Sequence, residues 1–257
     1  MLAVIRIILM TIALVLISIF SCLYSLIRPF HRDNVHHTAK YLGKVSKLLG
    51  LEVEVRIPDS AKNIGPVVYI CNHQNSYDIF TVSGAVQPGT VSVGKKSLKW
   101  IPFFGQMYWL TGNILIDRKN KNKAMNTIDM TARKIREKKL SVWLFPEGTR
   151  SYGRGLLPFK TGAFRTAVKA EVPIVPICAS NTHKTIDLNR WNNGKMIIEF
   201  LDPINISVDE RDKIRNITNQ THASMLVKLE ALNKETGREI ALSKAKKTDE
   251  AQPSETK

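Results

Sequence analysis

The stretch CNHQNSYD, from Cys71 to Asp78, joins a predicted strand to a predicted helix. The apolar run PVVYI at 66–70 before it favours a buried strand, and IFTV at 79–82 after it favours the start of a helix. On one continuous helix, His73 and Asp78 would point about 140° apart. A turn between a strand and a helix instead lets the carboxylate reach the imidazole ring, fix its tautomer and leave the other ring nitrogen as a base. The alternative is an ordinary turn with a polar histidine and an aspartate at a helix start.

The chain has a strong excess of positive charge. Its 257 residues contain 38 Lys and Arg against 22 Asp and Glu, which gives a formal net charge of +16. Such a balance favours partners that carry negative charge, namely nucleic acid, anionic lipid or phosphorylated small molecules. Cys22, Cys71 and Cys178 lie far apart without the spacing of metal ligands. This pattern predicts reduced thiols in a cytosol-facing protein, and no metal site.

The N-terminal segment, residues 1–50, is predicted to anchor the chain in a membrane. Residues 7–27 carry no charge, and the run is long enough to cross a bilayer core of roughly 30 Å. Basic residues are more numerous after this run than before it, which favours the cytoplasm for the C-terminal side. A second, amphipathic segment at about 34–50 suits either the headgroup region or an ordinary protein surface. A secretory signal peptide is the less favoured alternative, because no small-residue cleavage site ends the apolar run.

Short apolar segments alternate with helical ones between residues 51 and 242. This alternation predicts an α/β domain, with a mixed, largely parallel sheet flanked by helices and a further helix at about 208–242. Because 172–178 contains two prolines, it is predicted to be an edge or irregular strand. Residues 243–257 are polar and are predicted to form a disordered tail. Strands are predicted at 51–57, 66–70, 91–94, 113–118, 141–145, 172–178 and 196–200, and helices at 79–86, 124–138 and 161–170.

Three basic residues, Lys95, Arg118 and Arg150, follow three different predicted strands. Ligands of open α/β sheets bind beyond the carboxyl ends of the strands, where His73 is also expected. Cations that converge there would bind a phosphate, and arginine can do so through two parallel hydrogen bonds. Taken singly, each of them is better explained as a solvated surface charge.

The turn PEGTR, from Pro146 to Arg150, follows an apolar strand. Gly148 permits unusual backbone angles and the close approach of a ligand. Three roles are open to Glu147, which can accept a hydrogen bond from a substrate hydroxyl, pair with Arg150, or cap the turn. The glycine-rich segment from 153 to 162 is not a nucleotide-binding P-loop, because no Gly-Lys-Ser/Thr closes it.

Taken together, these motifs resemble the ordered blocks of the glycerolipid acyltransferase family. The resemblance spans roughly residues 1–235 and shows no departure at a motif position. Its blocks are Asn72-His73-x4-Asp78, Lys95-x2-Leu98-x3-Pro102-x2-Gly105, Ile116-Asp117-Arg118, Phe145-Pro-Glu-Gly-Thr-Arg-Ser151 and Val172-Pro-Ile-Val-Pro-Ile177.

The resemblance implies an enzyme of phospholipid biosynthesis. It would move an acyl chain from acyl-CoA or acyl carrier protein to the 2-hydroxyl of 1-acyl-sn-glycerol 3-phosphate (lysophosphatidic acid). His73 would act as general base and Asp78 would support its ring, within the ~10²–10⁴-fold range of general-base catalysis. Backbone N–H groups near Gly148 would stabilise the oxyanion. The implied substrate-binding residues are Lys95, Arg118 and Arg150 for the phosphate, Glu147 for the glycerol, and Gly148 and Thr149 in the same turn.

The resemblance also implies that no metal, cofactor or covalent intermediate is required, since a thiolate leaves readily. The expected partners are the thioester donor, lysophosphatidic acid and membrane lipid, without nucleic acid, at the cytoplasmic face of a bacterial inner membrane. Two other interpretations stay open. One is a membrane-anchored, non-catalytic binder of anionic lipid or nucleic acid. The other is a thioesterase or lipid hydrolase on the same fold, in which water replaces the acceptor hydroxyl.

Overall fold

A computed structural model describes residues 1–116, 121–207 and 213–238. Some of the predicted features fall outside these ranges. They include Arg118, both ends of the predicted helix at 208–242, and the predicted tail at 243–257.

The N-terminal region consists of two α-helices and a short 3-10 helix. Helix α1 covers Leu2–Ile27, α2 covers Asn34–Lys44, and the 3-10 helix covers Val45–Leu49. Apolar side chains of all three pack together in one buried cluster, which also contains Phe80 from the helix at Asp78–Thr81. Cooperative burial of these faces explains why the amphipathic segment predicted at 34–50 is helical.

The remaining helices cover the sheet or connect its strands. The helix predicted from Ile79 begins at Asp78, but it is shorter than predicted and gives way to a 3-10 turn at Ser83–Ala85. The helices are α3 (Asp78–Thr81), α4 (Phe104–Leu110), α5 (Lys121–Lys138), α6 (Gly162–Ala170) and α7 (Ile214–Glu235). Helices α5, α6 and α7 lie within or close to their predicted ranges, whereas α4 was not predicted.

The described residues form a seven-stranded sheet with the order β1-β7-β6-β2-β5-β3-β4. The pairings are parallel apart from the antiparallel contact between β6 and β7, as a mixed, largely parallel sheet requires. The strands are β1 (Glu52–Arg56), β2 (Val68–Cys71), β3 (Thr90–Lys95), β4 (Ile114–Ile116), β5 (Ser141–Leu144), β6 (Ile174–Ala179) and β7 (Lys195–Phe200).

Both faces of the sheet are buried. One face packs against α5, α6 and α7 through residues such as Ile135, Phe164 and Met225. The opposite face carries Tyr69 and Trp143, which pack with Val82 and Ala85 from the segment after β2. Burial on both faces explains why β2, β5 and β6 are almost continuously apolar in sequence.

Of the two alternatives predicted for residues 172–178, an edge strand or an irregular strand, the edge strand is wrong. Strand β6 is internal and fully buried, between β2 and β7. Its antiparallel pairing with β7 begins only at Ile177, and a separate bridge joins Ile174 to Ile204. Pro176 falls between these two sets of bonds, so β7 does not require the N–H group that proline lacks. The parallel pairing with β2 continues past Pro176 without interruption.

Candidate active site

The sheet brings two sequence motifs to the same edge. Strands β2 and β5 are adjacent and parallel, so the loops that leave their carboxyl ends start side by side. The first loop carries His73, and the second is the PEGTR turn at 146–150. The carboxyl edge of parallel strands is the usual ligand-binding edge of an open α/β sheet.

The predicted contact between the histidine ring and the carboxylate is present. Nδ1 of His73 lies 2.6 Å from Oδ2 of Asp78, the first residue of α3. The His73 side chain remains about 20% exposed, whereas that of Asp78 is about 3% exposed. A proton on Nδ1 donated to this carboxylate leaves Nε2 unprotonated and available as a base.

Asp78 also organises the backbone of the histidine loop. Its Oδ2 accepts hydrogen bonds from the backbone N–H of Gln74 at 2.7 Å and of Asn75 at 3.3 Å. Hydrogen bonds to an ionised oxygen are among the stronger ones in proteins. The carboxylate therefore fixes the ring and the loop that carries it as one unit.

The His73 ring and backbone are held from the second loop as well. The ring stacks on Phe145 with a centroid separation of 4.0 Å and an interplanar angle of 16°. The backbone carbonyl of His73 accepts from the N–H of Ser151 at 2.8 Å, and that of Gln74 accepts from the N–H of Tyr152 at 2.9 Å. Asp78 and Phe145 thus fix the ring, and the two backbone hydrogen bonds fix the loop that carries it, before any substrate binds.

Glu147 holds the histidine loop through hydrogen bonds from backbone N–H groups. Its Oε1 accepts the backbone N–H of His73 at 2.6 Å, and its Oε2 accepts the backbone N–H of Leu157 at 3.0 Å. The side chain is only about 3% exposed. Burial raises the pKa of the Glu147 carboxyl to about 7, although these two hydrogen bonds oppose the shift. The predicted contact with glycerol stays a prediction, and sequence reasoning missed the bracing role because backbone partners leave no residue pattern.

Two side-chain amides join the histidine loop to the chain that follows β6. Asn72 donates to the carbonyl of Ala179 at 2.9 Å and accepts from its N–H at 2.8 Å. Gln74 donates to the carbonyls of Ala179 and Ser180, and accepts from the N–H of Thr182 at 2.6 Å. These amides are buried away from water, so protein groups must satisfy their hydrogen bonds. Their role follows from the adjacency of β6 and β2, which the sequence did not predict.

The PEGTR turn presents backbone donors beside the histidine. Gly148 has a φ of +72°, in the left-handed region that glycine adopts without strain. Its own N–H donates to the carbonyl of Phe145 at 3.0 Å. Within the described part of the chain, the N–H groups of Glu147, Thr149 and Arg150 have no hydrogen-bond acceptor, and those of Thr149 and Arg150, directly after Gly148, are candidate donors to an oxyanion.

Two of the three predicted phosphate-binding cations fall within the described residues. Lys95 is exposed at the end of β3, on the carboxyl edge of the sheet. Arg150 donates to the hydroxyl of Ser76 at 3.2 Å and to that of Tyr152 at 3.1 Å. Arg118 lies outside the described residues. Neither Lys95 nor Arg150 pairs with a carboxylate in the part of the chain that the structure covers, so both stay available to an anion.

Comparison with family models identifies one domain. The model described as "Acyltransferase" matches residues 52–180, which include the histidine loop and the PEGTR turn. A search of solved structures finds the crystal structure of the 1-acyl-sn-glycerophosphate (LPA) acyltransferase from Thermotoga maritima. Its TM-score is 0.68 at 21% identity, and the match covers 90% of this chain and 96% of that one. At this identity the match bears on the fold alone.

Curated relatives are more similar in sequence. A Haemophilus influenzae protein named 1-acyl-sn-glycerol-3-phosphate acyltransferase is 52% identical over 235 residues, which are 91% of this chain and 98% of that protein. A protein of the same name from Escherichia coli is 47% identical over 244 residues, which are 95% of this chain and 100% of that protein.

Proposed function

Because this chain belongs to the acyltransferase family and is an enzyme that transfers acyl groups, we propose that its acceptor is 1-acyl-sn-glycerol 3-phosphate and its donor is an acyl thioester. The reaction gives phosphatidic acid. The observation that carries the proposal is the 2.6 Å contact between His73 and Asp78 beside the PEGTR turn. It occurs in a chain whose sequence is 52% identical to that of a relative named 1-acyl-sn-glycerol-3-phosphate acyltransferase.

In the proposed reaction, Nε2 of His73 takes the proton from the 2-hydroxyl of the acceptor. The oxygen then forms a bond to the thioester carbonyl carbon, and the carbonyl oxygen becomes an oxyanion. Asp78 stabilises the imidazolium through Nδ1, and the N–H groups of Thr149 and Arg150 are the proposed oxyanion donors. When the C–S bond breaks, the proton on Nε2 passes to the thiolate, so the enzyme returns to its starting state.

The acceptor phosphate is proposed to bind Lys95, Arg118 and Arg150. Two of these cations occupy the carboxyl edge of the sheet, and arginine offers two parallel donors to a phosphate. The donor is proposed to be acyl-CoA or acyl carrier protein, both of which present the same thioester.

The expected result in a direct assay is acceptor-dependent transfer. Purified protein in detergent micelles is supplied with radiolabelled acyl-CoA or acyl carrier protein thioester, with and without lysophosphatidic acid. We expect labelled phosphatidic acid only when the acceptor is present, and almost no free fatty acid without it. Free fatty acid formed at an equal rate in both samples would identify a hydrolase and overturn the proposal, and absence of any acyl product would favour the lipid-binding alternative.

Helix α1 supports membrane association. It is long and apolar enough to cross a bilayer by length and composition, and only 17% of its most apolar window is buried against the rest of the protein. Its exposed side chains include Ile8, Leu16, Phe20 and Leu23. An exposed apolar face of this size is typical of a membrane contact.

Both ends of α1 are fastened to the same globular domain. Near its start, buried Arg6 donates to the carbonyls of Leu188, Arg190 and Trp191 at distances of 2.5 to 3.1 Å. After its end, the ring of Phe30 lies 5.1 Å from that of Trp109 on α4. A helix of this length that crossed the bilayer would separate its ends by about 30 Å of hydrocarbon. We propose that α1 lies within one leaflet and that the domain is on the cytoplasmic face of the bacterial inner membrane.

Labelling of single cysteines tests this arrangement. In a Cys22→Ser background, Leu2→Cys marks the start of α1 and Asn192→Cys marks the exposed loop that Arg6 holds. With a membrane-impermeant maleimide, we expect both positions to react in inside-out vesicles and neither in right-side-out vesicles. Labelling of the two positions from opposite sides would mean that α1 crosses the membrane.

A further inference from the structure

The side chain of Lys160 crosses the PEGTR turn. Its backbone N–H donates to the carbonyl of Pro146 at 2.9 Å, which fixes the start of the side chain beside the turn. A Cβ atom added at Gly148 would lie 2.8 Å from Nζ of Lys160, and 3.1 and 3.2 Å from its Cε and Cδ. The outer part of the lysine therefore occupies the space that a side chain at position 148 would need.

Gly148 thus has a second reason to be glycine besides its φ of +72°. Any larger residue would push the ammonium group away from the turn. The turn itself carries Glu147, which holds the backbone N–H of His73. The Lys160 ammonium group is therefore positioned next to the loop that carries the catalytic base.

No carboxylate pairs with Lys160 in the described part of the chain. The acidic residue of the turn is Glu147, and both of its oxygens already accept backbone N–H groups. Lys160 is exposed, so an anion can reach it from solvent. An unpaired ammonium group held in this position attracts the negative groups of a substrate.

We propose that Lys160 is a further substrate-binding residue that contacts a phosphate group, and that Gly148 is the residue that makes room for it. The proposal rests on the acyl-transfer function argued above. Two substrates of that reaction can supply the phosphate, namely lysophosphatidic acid and the CoA portion of the donor. Lysine suits either, because its three donors rotate freely and do not require a planar partner.

The test compares Lys160→Met with wild type under four substrate pairings. The acceptor is lysophosphatidic acid or 1-monoacylglycerol, which lacks the phosphate. The donor is acyl-CoA or an acyl N-acetylcysteamine thioester, which lacks every CoA phosphate. Because the contact joins two charged groups, we expect KM for the phosphate-bearing substrate to rise about tenfold with kcat little changed. KM for its phosphate-free counterpart should not change.

The substrate pairing in which the KM increase is absent identifies which substrate carries the phosphate that Lys160 contacts. If the KM increase disappears with 1-monoacylglycerol, Lys160 binds the acceptor, and if it disappears with the N-acetylcysteamine thioester, Lys160 binds the donor. Lys160→Arg should keep most of the affinity. Lys139→Met is the matched control, because Lys139 is exposed just before the amino end of β5, on the other edge of the sheet.

Two outcomes would overturn the inference. One is an unchanged KM for every substrate in Lys160→Met. The other is an equal loss with phosphate-bearing and phosphate-free substrates in a variant that unfolds at the wild-type temperature, because a general loss of that kind indicates a structural role. Failure of the wild-type protein to transfer an acyl chain at all would instead contradict the proposed function, so the two failures are distinguishable.

Discussion

Replacement of His73 by alanine is expected to lower kcat for phosphatidic acid formation by about 10²–10⁴-fold, with little change in the KM for lysophosphatidic acid. The physical reason is that His73 supplies the imidazole that is paired with a buried carboxylate at the carboxyl edge of β2. Among the described residues, the ring bonds only to Asp78 and stacks on Phe145, so its removal leaves the backbone contacts of the loop intact. The measurement is steady-state kinetics of purified protein at matched concentration.

The matched control is His37→Ala, since His37 is exposed on α2 and remote in sequence from the site. Its activity should equal that of wild type. A companion variant, Asp78→Asn, keeps an oxygen for the N–H groups of Gln74 and Asn75 but removes the negative charge that stabilises the imidazolium. We therefore expect it to lose kcat while it stays folded. If the His73→Ala protein retains kcat within about threefold of wild type, His73 is not the general base of the reaction.

Replacement of Glu147 by glutamine is expected to change the pH dependence of stability. The pKa of Glu147 rises from 4.5 to about 7 on folding because the carboxyl is buried. In this range the folded protein binds more protons than the unfolded chain, so the free energy of unfolding falls as pH rises. The shift corresponds to up to about 3 kcal/mol that is present below pH 4.5 and lost once pH passes 7.

A glutamine cannot titrate, so Glu147→Gln should lack this contribution. Denaturant unfolding in detergent at pH 5 and pH 8 measures it directly. The wild-type protein should lose more stability than the variant between the two values. Glu137→Gln, at an exposed position on α5, is the control and should follow wild type. A wild-type protein and a Glu147→Gln variant with parallel pH profiles would contradict the assigned pKa.

Local patterns in the sequence predicted the parts of the site that lie within one loop. His73 and Asp78 meet because a strand, a tight turn and a helix start follow each other within a few residues, and each leaves its own signature. The alternation of apolar and helical segments likewise predicted an α/β sheet. Such patterns depend on backbone periodicity and on turn chemistry, which the residues themselves encode.

Contacts between distant segments were harder to predict. Glu147 and Gln74 bond to backbone groups, and any residue can supply those, so no partner could be identified from residue types. The internal position of β6 was missed because its prolines favour an edge, whereas the gap in its pairing with β7 accommodates Pro176. The course of Lys160 across Gly148 depends on how the loop from Ser151 to Thr161 folds back, which is a tertiary property.

The attachment of α1 at both ends has a consequence for the growth of the bilayer. In the arrangement proposed above, in which both attachments keep the helix in one leaflet, the acceptor enters and the product leaves on the same side. Each turnover converts a lipid with one hydrocarbon tail into one with two tails, and so enlarges the cross-sectional area of that monolayer alone. We expect the resulting area mismatch between monolayers to be relieved only by transfer of lipid to the far side. The ratio of the areas of the two monolayers then depends on the transfer of lipid between them rather than on lipid synthesis.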